Sequence, residues 1–195
     1  MSLTNHTTHQ ESLTRLKEGN TRFVEDMLNN DLQDSSRRES LINKQEPYAI
    51  ILGCADSRVV PELAFDAGLG ELFTVRVAGN IANTLSIASM EYAVEHLGSK
   101  LIVVLGHQSC RAVTATVDRG DNGYNLYMLL AHGTSAIDAS EKDACIDDIV
   151  KENVELNAAD LLVRSSIISR AVQCGDVRIV SAYYHLKTGE VEFLD

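Results

Sequence analysis

Leu101-Ile-Val-Val-Leu-Gly-His-Gln-Ser-Cys110 is the stretch on which the reading of this chain turns: an uninterrupted apolar run ends at Gly106 and hands over to an imidazole and a thiol three residues apart. A short run rich in β-branched residues is what a strand buried on both faces requires. Tyr48 to Leu52 and Leu72 to Val77 have the same character, and the first also ends in polar chemistry, in Ile50-Ile-Leu-Gly-Cys-Ala-Asp-Ser-Arg58. Helix-like segments separate the runs. Pro61 to Ala67 opens with a residue suited to a first helical turn, and Thr84 to Leu97 is stopped by Gly98. This alternation predicts an α/β fold, a mostly parallel central β-sheet flanked by helices.

Outward from that centre the pattern is helical. From Glu11 to Leu28, Leu13, Leu16, Phe23, Val24, Met27 and Leu28 recur at amphipathic spacing, with Gly19 and Asn20 weakening the helix. Asn29 to Glu46 is polar and reads as a loop or short helical connection. After His107 a helix is expected from Ser109 to about Val117, a break around Gly120 to Gly123, and a second helix from Leu126 to Ala131. A long helix with at most one bend follows, from about Lys142 to Gln173, and Gly175 stops it. Strands Val177 to Tyr184 and Val191 to Leu194 close the chain around the turn Lys187-Thr-Gly-Glu190, the last open to antiparallel pairing.

With 195 residues and 45% apolar content, the chain suits one domain with one substantial core. A formal charge of -11 opposes attraction to nucleic acid or anionic lipid. Ser2 to Gln10 is polar without an apolar leader region, and no run approaches the ~18 apolar residues of a membrane span. The expected compartment is the cytoplasm. Four cysteines are too few for a disulfide scaffold, and Cys145 and Cys174, without a neighbouring His or Cys, read as ordinary thiols.

Cys54, His107 and Cys110 differ. In open α/β sheets, ligands collect beyond the carboxyl ends of the strands, and both motifs run off such ends. Two thiolates and a neutral imidazole form a set suited to zinc, and three protein ligands leave a fourth tetrahedral position open, as in catalytic sites. Either segment alone also fits a small buried thiol or a histidine capping a carbonyl. Finding both at two strand ends, with Asp56 and Arg58 adjacent, favours the metal. A closed structural site would need a fourth Cys or His at finger-like spacing, which is not supplied.

Cys54-Ala-Asp-Ser-Arg58 followed by His107-x-x-Cys110 resembles the paired signature of β-class carbonic anhydrases. The similarity extends through Gln45-Glu-Pro47, Gly70-Glu-Leu-Phe73, Arg76-Val-Ala-Gly-Asn80, Glu91-Tyr-Ala-Val94, Tyr184 and Thr188-Gly-Glu-Val191. It implies one Zn2+ per subunit on Cys54, His107 and Cys110. A zinc-bound hydroxide would attack carbon dioxide in its reversible hydration to bicarbonate and a proton. Asp56 would accept a hydrogen bond at that site, with Arg58 gripping its carboxylate, and loss of the grip would free Asp56 to take the fourth zinc position.

The same resemblance, to the plant-like members, implies a substrate pocket of Gln45, Phe73, Ala78 and Tyr92, some of them supplied across a dimer interface, and a proton relay at His96. It also implies a homodimer or a tetramer built from dimers, with the N-terminal helical arm, about residues 10–45, packing on a partner subunit and residues 1–195 forming a single zinc-enzyme domain. Some members bind inhibitory bicarbonate beside a tryptophan three residues before the first zinc cysteine; Ile51 stands there and the chain has no Trp, so that regulation is not expected. Arg111 departs from the glycine usual after the second zinc cysteine, and would narrow access, favour anions or point outward. It keeps open a carbonyl sulfide or carbon disulfide hydrolase on the same fold. A catalytically silent zinc-binding assembly protein is the alternative from another class.

Overall fold

The computed structural model describes residues 7–120 and 123–194. The beginning of the polar Ser2 to Gln10 stretch, His6, and part of the break at Gly120 to Gly123 lie outside them. Five strands form one sheet in the order β2-β1-β3-β4-β5. They are β1 (Ala49–Gly53), β2 (Leu72–Arg76), β3 (Leu101–His107), β4 (Arg178–Tyr184) and β5 (Val191–Phe193). All neighbours pair in parallel except β5, which runs antiparallel to β4.

Side chains alternate across the sheet as strand geometry demands. Ile51, Leu101, Val103 and Leu105 face one layer, where they meet Leu13 and Leu16 of α1 (His9–Val24) and Ala64 of α3 (Pro61–Ala64). Ile50, Leu52, Ile102 and Val104 face the other, against Met90 and Ala93 of α4 (Thr84–Leu97), Val154 and Leu161 of α8 (Ile146–Arg164) and Ile168 of α9 (Ser166–Gln173). The remaining helices are α2 (Ser35–Ser40), α5 (Arg111–Asp118), α6 (Gly123–Ala131) and α7 (Thr134–Ala139).

From β1 the chain crosses through α3 to the edge at β2, then returns through α4 to β3 on the other side of β1. The direction of winding therefore reverses between β1 and β3. Such a switch point leaves a crevice beyond the carboxyl ends of the two strands.

Several boundaries differ from the sequence expectation. The helix expected from Ser109 starts at Arg111, because Ser109 is left-handed at φ 54° and Cys110 is the extended N-cap. That expected over Pro61 to Ala67 ends at Ala64, with Asp66 at φ 47°. The long helix begins at Ile146, where Asp148 reaches back to the Cys145 amide, and breaks at Ser165. The Ser165 hydroxyl caps α9 by accepting from Ile168 N and donates to Glu91 Oε1 at 2.6 Å. The α7 turn was not anticipated.

Gly19 and Asn20 do not merely weaken α1. A Cβ at Gly19 would lie 1.9 Å from the Phe65 carbonyl oxygen, so only glycine lets helix and loop pack this closely. Asn20 is buried; its Nδ2 donates to Ala64 O and Gly189 O, and its Oδ1 accepts from Val191 N at 2.8 Å. One side chain thus ties α1 to α3 and to β5. Asn20→Ala leaves three backbone groups without these partners and is expected to lower unfolding stability by about 3 kcal/mol, read from the urea midpoint at unchanged m-value.

Candidate metal centre

The β1–β3 register pairs Gly53 with Leu105, so Cys54 and His107 leave neighbouring strands side by side. Cys110 follows after a tight turn at Gln108 and Ser109, as the N-cap of α5. The sulfurs of Cys54 and Cys110 and a ring nitrogen of His107 all lie within 4.8 Å of one another. Tetrahedral zinc, with Zn–S of about 2.3 Å and Zn–N of about 2.0 Å, separates its donors by roughly 3.5–4 Å, so small shifts bring this set onto a metal.

All three residues are buried, at 4%, 0% and 0% exposure. His107 Nδ1 lies 2.9 Å from Gln108 O, an acceptor, so Nδ1 carries the proton and Nε2 presents its lone pair. Nε2 is fully buried and has no hydrogen-bond partner among the described residues. A buried, partnerless acceptor costs free energy unless an electrophile meets it.

The two sulfurs share one proton and one negative charge. A hydrogen bond from Cys110 does most to lower the Cys54 thiol, burial opposes it, and His107 and the Gly79 amide add to the lowering, leaving it at about 4. The same interaction pushes the Cys110 thiol up. Gly79 N donates to Cys54 Sγ at 3.3 Å from a glycine at φ 76°. Two sulfurs competing for one proton, with an imidazole lone pair between them, are a donor set that a soft divalent cation satisfies. Zinc fits these residues.

Asp56 stands at the mouth. Arg58 holds it by a two-toothed fork, Nε to Oδ1 at 2.9 Å and Nη2 to Oδ2 at 2.7 Å, and by its backbone N–H to Oδ1 at 3.0 Å. Asp56 Oδ2 lies 3.9 Å from His107 Nε2. The Arg58 fork holds the Asp56 carboxyl well below the usual carboxylate range, against an opposing effect of burial.

Arg76 has a role that its place in the sequence does not assign. At the carboxyl end of β2, paired with Gly53, it donates to the carbonyls of Cys54 (3.0 Å), Asp56 (2.7 Å) and Val59 (2.9 Å). One guanidinium thus shapes the loop that presents both Cys54 and Asp56. Its signal was a charged residue ending a strand beside the first motif. Asp147, far from both motifs in the sequence, also reaches the site: its Oδ1 accepts from Ser109 N at 2.9 Å.

The other predicted residues divide in two. Ala78, beside Gly79, and exposed Arg111, beside Cys110, flank the cluster in sequence. Gln45 and Tyr92 instead line a surface groove with Leu41, Ile42, Gly70 and Leu97, which lies at the amino ends of the strands. Phe73 pairs with Ile50 near that same end and packs against the core under α4. His96 is exposed, its ring 5.0 Å from that of Tyr92. The strands rise about 3.3 Å per residue. These four residues therefore lie toward the opposite ends of the strands from Cys54, His107 and Cys110 of the same chain.

A buried Cys-His-Cys cluster with an adjacent Asp-Arg pair, at the switch point of a parallel sheet, defines a metalloenzyme-type site with three protein ligands. A carbonic anhydrase family profile matches residues 49–191. A carbonic anhydrase of Mycolicibacterium smegmatis is 39% identical over 183 residues, covering 91% of this chain and 89% of its own. Among solved structures, the Coccomyxa β-carbonic anhydrase in complex with acetazolamide superposes with a TM-score of 0.75 at 27% identity, over 93% of this chain and 86% of its own. One of two tetrameric β-carbonic anhydrases from Sordaria macrospora shares the fold, with a TM-score of 0.69 at 24% identity over 80% and 85%. The chain belongs to the β-carbonic anhydrase family of enzymes.

Because Asp56 is depressed chiefly by Arg58, replacing the fork should reverse the effect. A depressed carboxyl favours the folded state above its ordinary pKa of about 3.9 and loses that contribution as pH falls further. In Arg58→Gln, Asp56 is expected to take up its proton at higher pH than in the parent protein, followed by carboxylate NMR. An unchanged titration would show that the fork does not set it.

Proposed function

We propose that the chain binds one Zn2+ per subunit on Cys54, His107 and Cys110 and catalyses the reversible hydration of carbon dioxide to bicarbonate and a proton. The observation that carries the reading is the convergence of three buried donor atoms within 4.8 Å, one of them a partnerless imidazole nitrogen. When bound, zinc supplies Lewis acidity that brings the ionisation of water within reach of neutral pH.

Asp56, kept ionised by Arg58, accepts a hydrogen bond from the attacking oxygen and orients its lone pair toward the carbon of the substrate. Arg58 and Arg76 keep that carboxylate and the Cys54 loop in place while charge develops. Arg111, exposed beside Cys110, contributes positive charge at the mouth, where an anionic product leaves.

The pocket is of the plant-like kind in this reading, and its remaining residues reach the metal in an assembly. Gln45, Phe73 and Tyr92 lie toward the far ends of the strands of their own chain, so they serve the centre of a second copy, with His96 passing protons outward beside Tyr92. The N-terminal arm packs on that partner through the face that Leu13 and Leu16 do not seat on its own sheet, and the homo-oligomer is a dimer or a tetramer of such dimers. The tetrameric Sordaria enzymes and the shared fold support this arrangement. Thiols that must stay reduced to hold metal suit the cytoplasm. Among the described residues no helix is long and apolar enough to cross a membrane.

Two substitutions separate metal binding from chemistry. Cys110→Ser is expected to abolish zinc binding, measured as metal per chain, together with carbon dioxide hydration in a stopped-flow assay. Asp56→Asn should keep one zinc per chain yet lose roughly 10²-fold in kcat. Equal metal loss in both variants would overturn the assigned roles, and zinc-loaded parent protein that releases hydrogen sulfide from carbonyl sulfide faster than it hydrates carbon dioxide would overturn the substrate.

A further inference from the structure

The turn that delivers Cys110 is held in an unfavourable conformation. Ser109 has φ 54°, in the left-handed region that side chains other than those of Gly, Asn and Asp rarely adopt. Its peptide groups are gripped on both sides: Asp147 Oδ1 accepts from its N–H at 2.9 Å, and Arg58 Nη2 donates to its carbonyl at 3.3 Å. Gln108, before it, is tied by its own N–H to Tyr184 O at 2.9 Å.

Asp147 comes from a distant part of the chain. It lies in the first turn of α8, where the helix dipole favours a carboxylate. Val150, one turn further along, packs with Ile149 and Tyr183 in the same cluster as Cys54 and Cys110. Gly106, just before His107, is where α8 approaches most closely: a Cβ there would lie 2.5 Å from Val154 Cγ2 and 2.9 Å from Val150 Cγ1. The helix is therefore seated against the ligand strand before Asp147 reaches Ser109. Tyr183, paired with Gly106 across β3 and β4, shares a hydrogen bond with the Asp147 carboxylate.

We propose that Asp147 is a positioning residue for the metal centre: by accepting the Ser109 amide it holds the left-handed turn that aims Cys110 at Cys54 and His107. Arg58 completes the clamp, so the side chain that grips Asp56 also grips the turn carrying the third ligand. The inference rests on the zinc reading above and adds to it a residue on α8, outside both signature motifs. A carboxylate at this position works as an acceptor for one N–H, and an amide oxygen does the same work without the charge.

The test compares zinc retention in four variants by competition with a chromogenic chelator, with circular dichroism of each zinc-free protein as a check on folding. Asp147→Ala is expected to weaken zinc retention by about 10-fold or more, the usual size of an outer-shell effect on metal affinity. Asp147→Asn should stay within about 3-fold of the parent protein, since its Oδ1 still accepts. Ser109→Gly combined with Asp147→Ala should recover most of the loss, because glycine adopts the left-handed turn without being held. Asp148→Ala removes a neighbouring charge of the same helix turn, whose partner is the Cys145 amide rather than the ligand loop, and should leave zinc retention unchanged.

Parent-like retention in Asp147→Ala overturns the inference, as does equal loss in Asp147→Asn or Asp148→Ala, which would assign the effect to charge or to helix stability. Failure of Ser109→Gly to restore retention overturns it too. If Asp147→Ala does not fold, a double variant that folds and holds zinc supports the clamp, and one that also fails to fold overturns it. Parent protein that takes up no zinc would instead refute the zinc reading itself, which keeps the two failures distinguishable.

Discussion

The parallel register of β1 against β3 is the constraint on which the site depends. Gly53 opposite Leu105 puts Cys54, the first residue after β1, level with Gly106, one residue short of His107 at the end of β3, and these are two of the candidate ligands. A slip of one residue would move one ligand by about 3.3 Å and exchange the faces of every side chain on the strand. Metal–ligand distances tolerate only about 0.2 Å. The register is protected because both faces are filled: Ile51 and Leu105 pack toward α1, Ile50, Leu52 and Val104 toward α4 and α8. The core therefore sets the geometry of the chemistry above it, and a chain able to bury both faces is already most of the way to its metal site.

Beyond the strand ends the problem changes from packing to backbone electrostatics. The loop from Cys54 to Val59 turns several carbonyls inward, and Arg76 answers three of them with one planar group. An ammonium could donate to three acceptors too, but without the fixed fork that sets their relative positions. Arg58 likewise answers a carboxylate and a carbonyl at once. Guanidinium groups thus stiffen two loops that have no regular structure of their own, in a chain whose overall charge is strongly negative. The Cys110 thiol sits at the N-terminus of α5, where the backbone amides of Ala112 and Val113 oppose, without overcoming, the upward push from Cys54 and burial.

What the sequence made legible follows from these two regimes. Strands β1 and β3 and the Cys and His motifs at their ends were readable because an apolar run followed by Cys or His is a local pattern; β2, expected with them at the sheet centre, is instead its edge, since β4 takes the place beside β3. The boundaries that moved lie where a single residue leaves regular geometry, at Asp66, Ser109 and Ser165, for reasons supplied by distant partners: Arg22 and the Asn29 amide for the first, Asp147 for the second, Glu91 for the third. Gly19 and Asn20 show the same limit in reverse. Propensity counts them against a helix, whereas the packed structure uses the missing side chain of one and the amide of the other to seat α1 on the end of α3. No window of sequence contains Phe65 or Val191 alongside them.

The separation of chemistry and pocket residues to opposite ends of the strands bears on why assembly belongs to the proposed function. The outward face of α4 carries Leu85 at 79% and Tyr92 at 50% exposure, seven residues and thus two turns apart, with Ile42 at 75% near the same groove. Beside them β2 is the edge of the sheet, and such an edge offers backbone groups as well as apolar surface to a neighbour. In a lone chain these groups would be an aggregation liability that selection for solubility removes. Their retention is economical if the same residues do a second task against another copy: the apolar face supplies association, while Gln45 and Tyr92 supply contacts that their place at the far ends of the strands denies to their own metal centre. Under that arrangement a substitution at Tyr92 acts on two processes together, and its effect on hydration in a cross-linked oligomer separates the loss of a pocket wall from the loss of the partner that carries it.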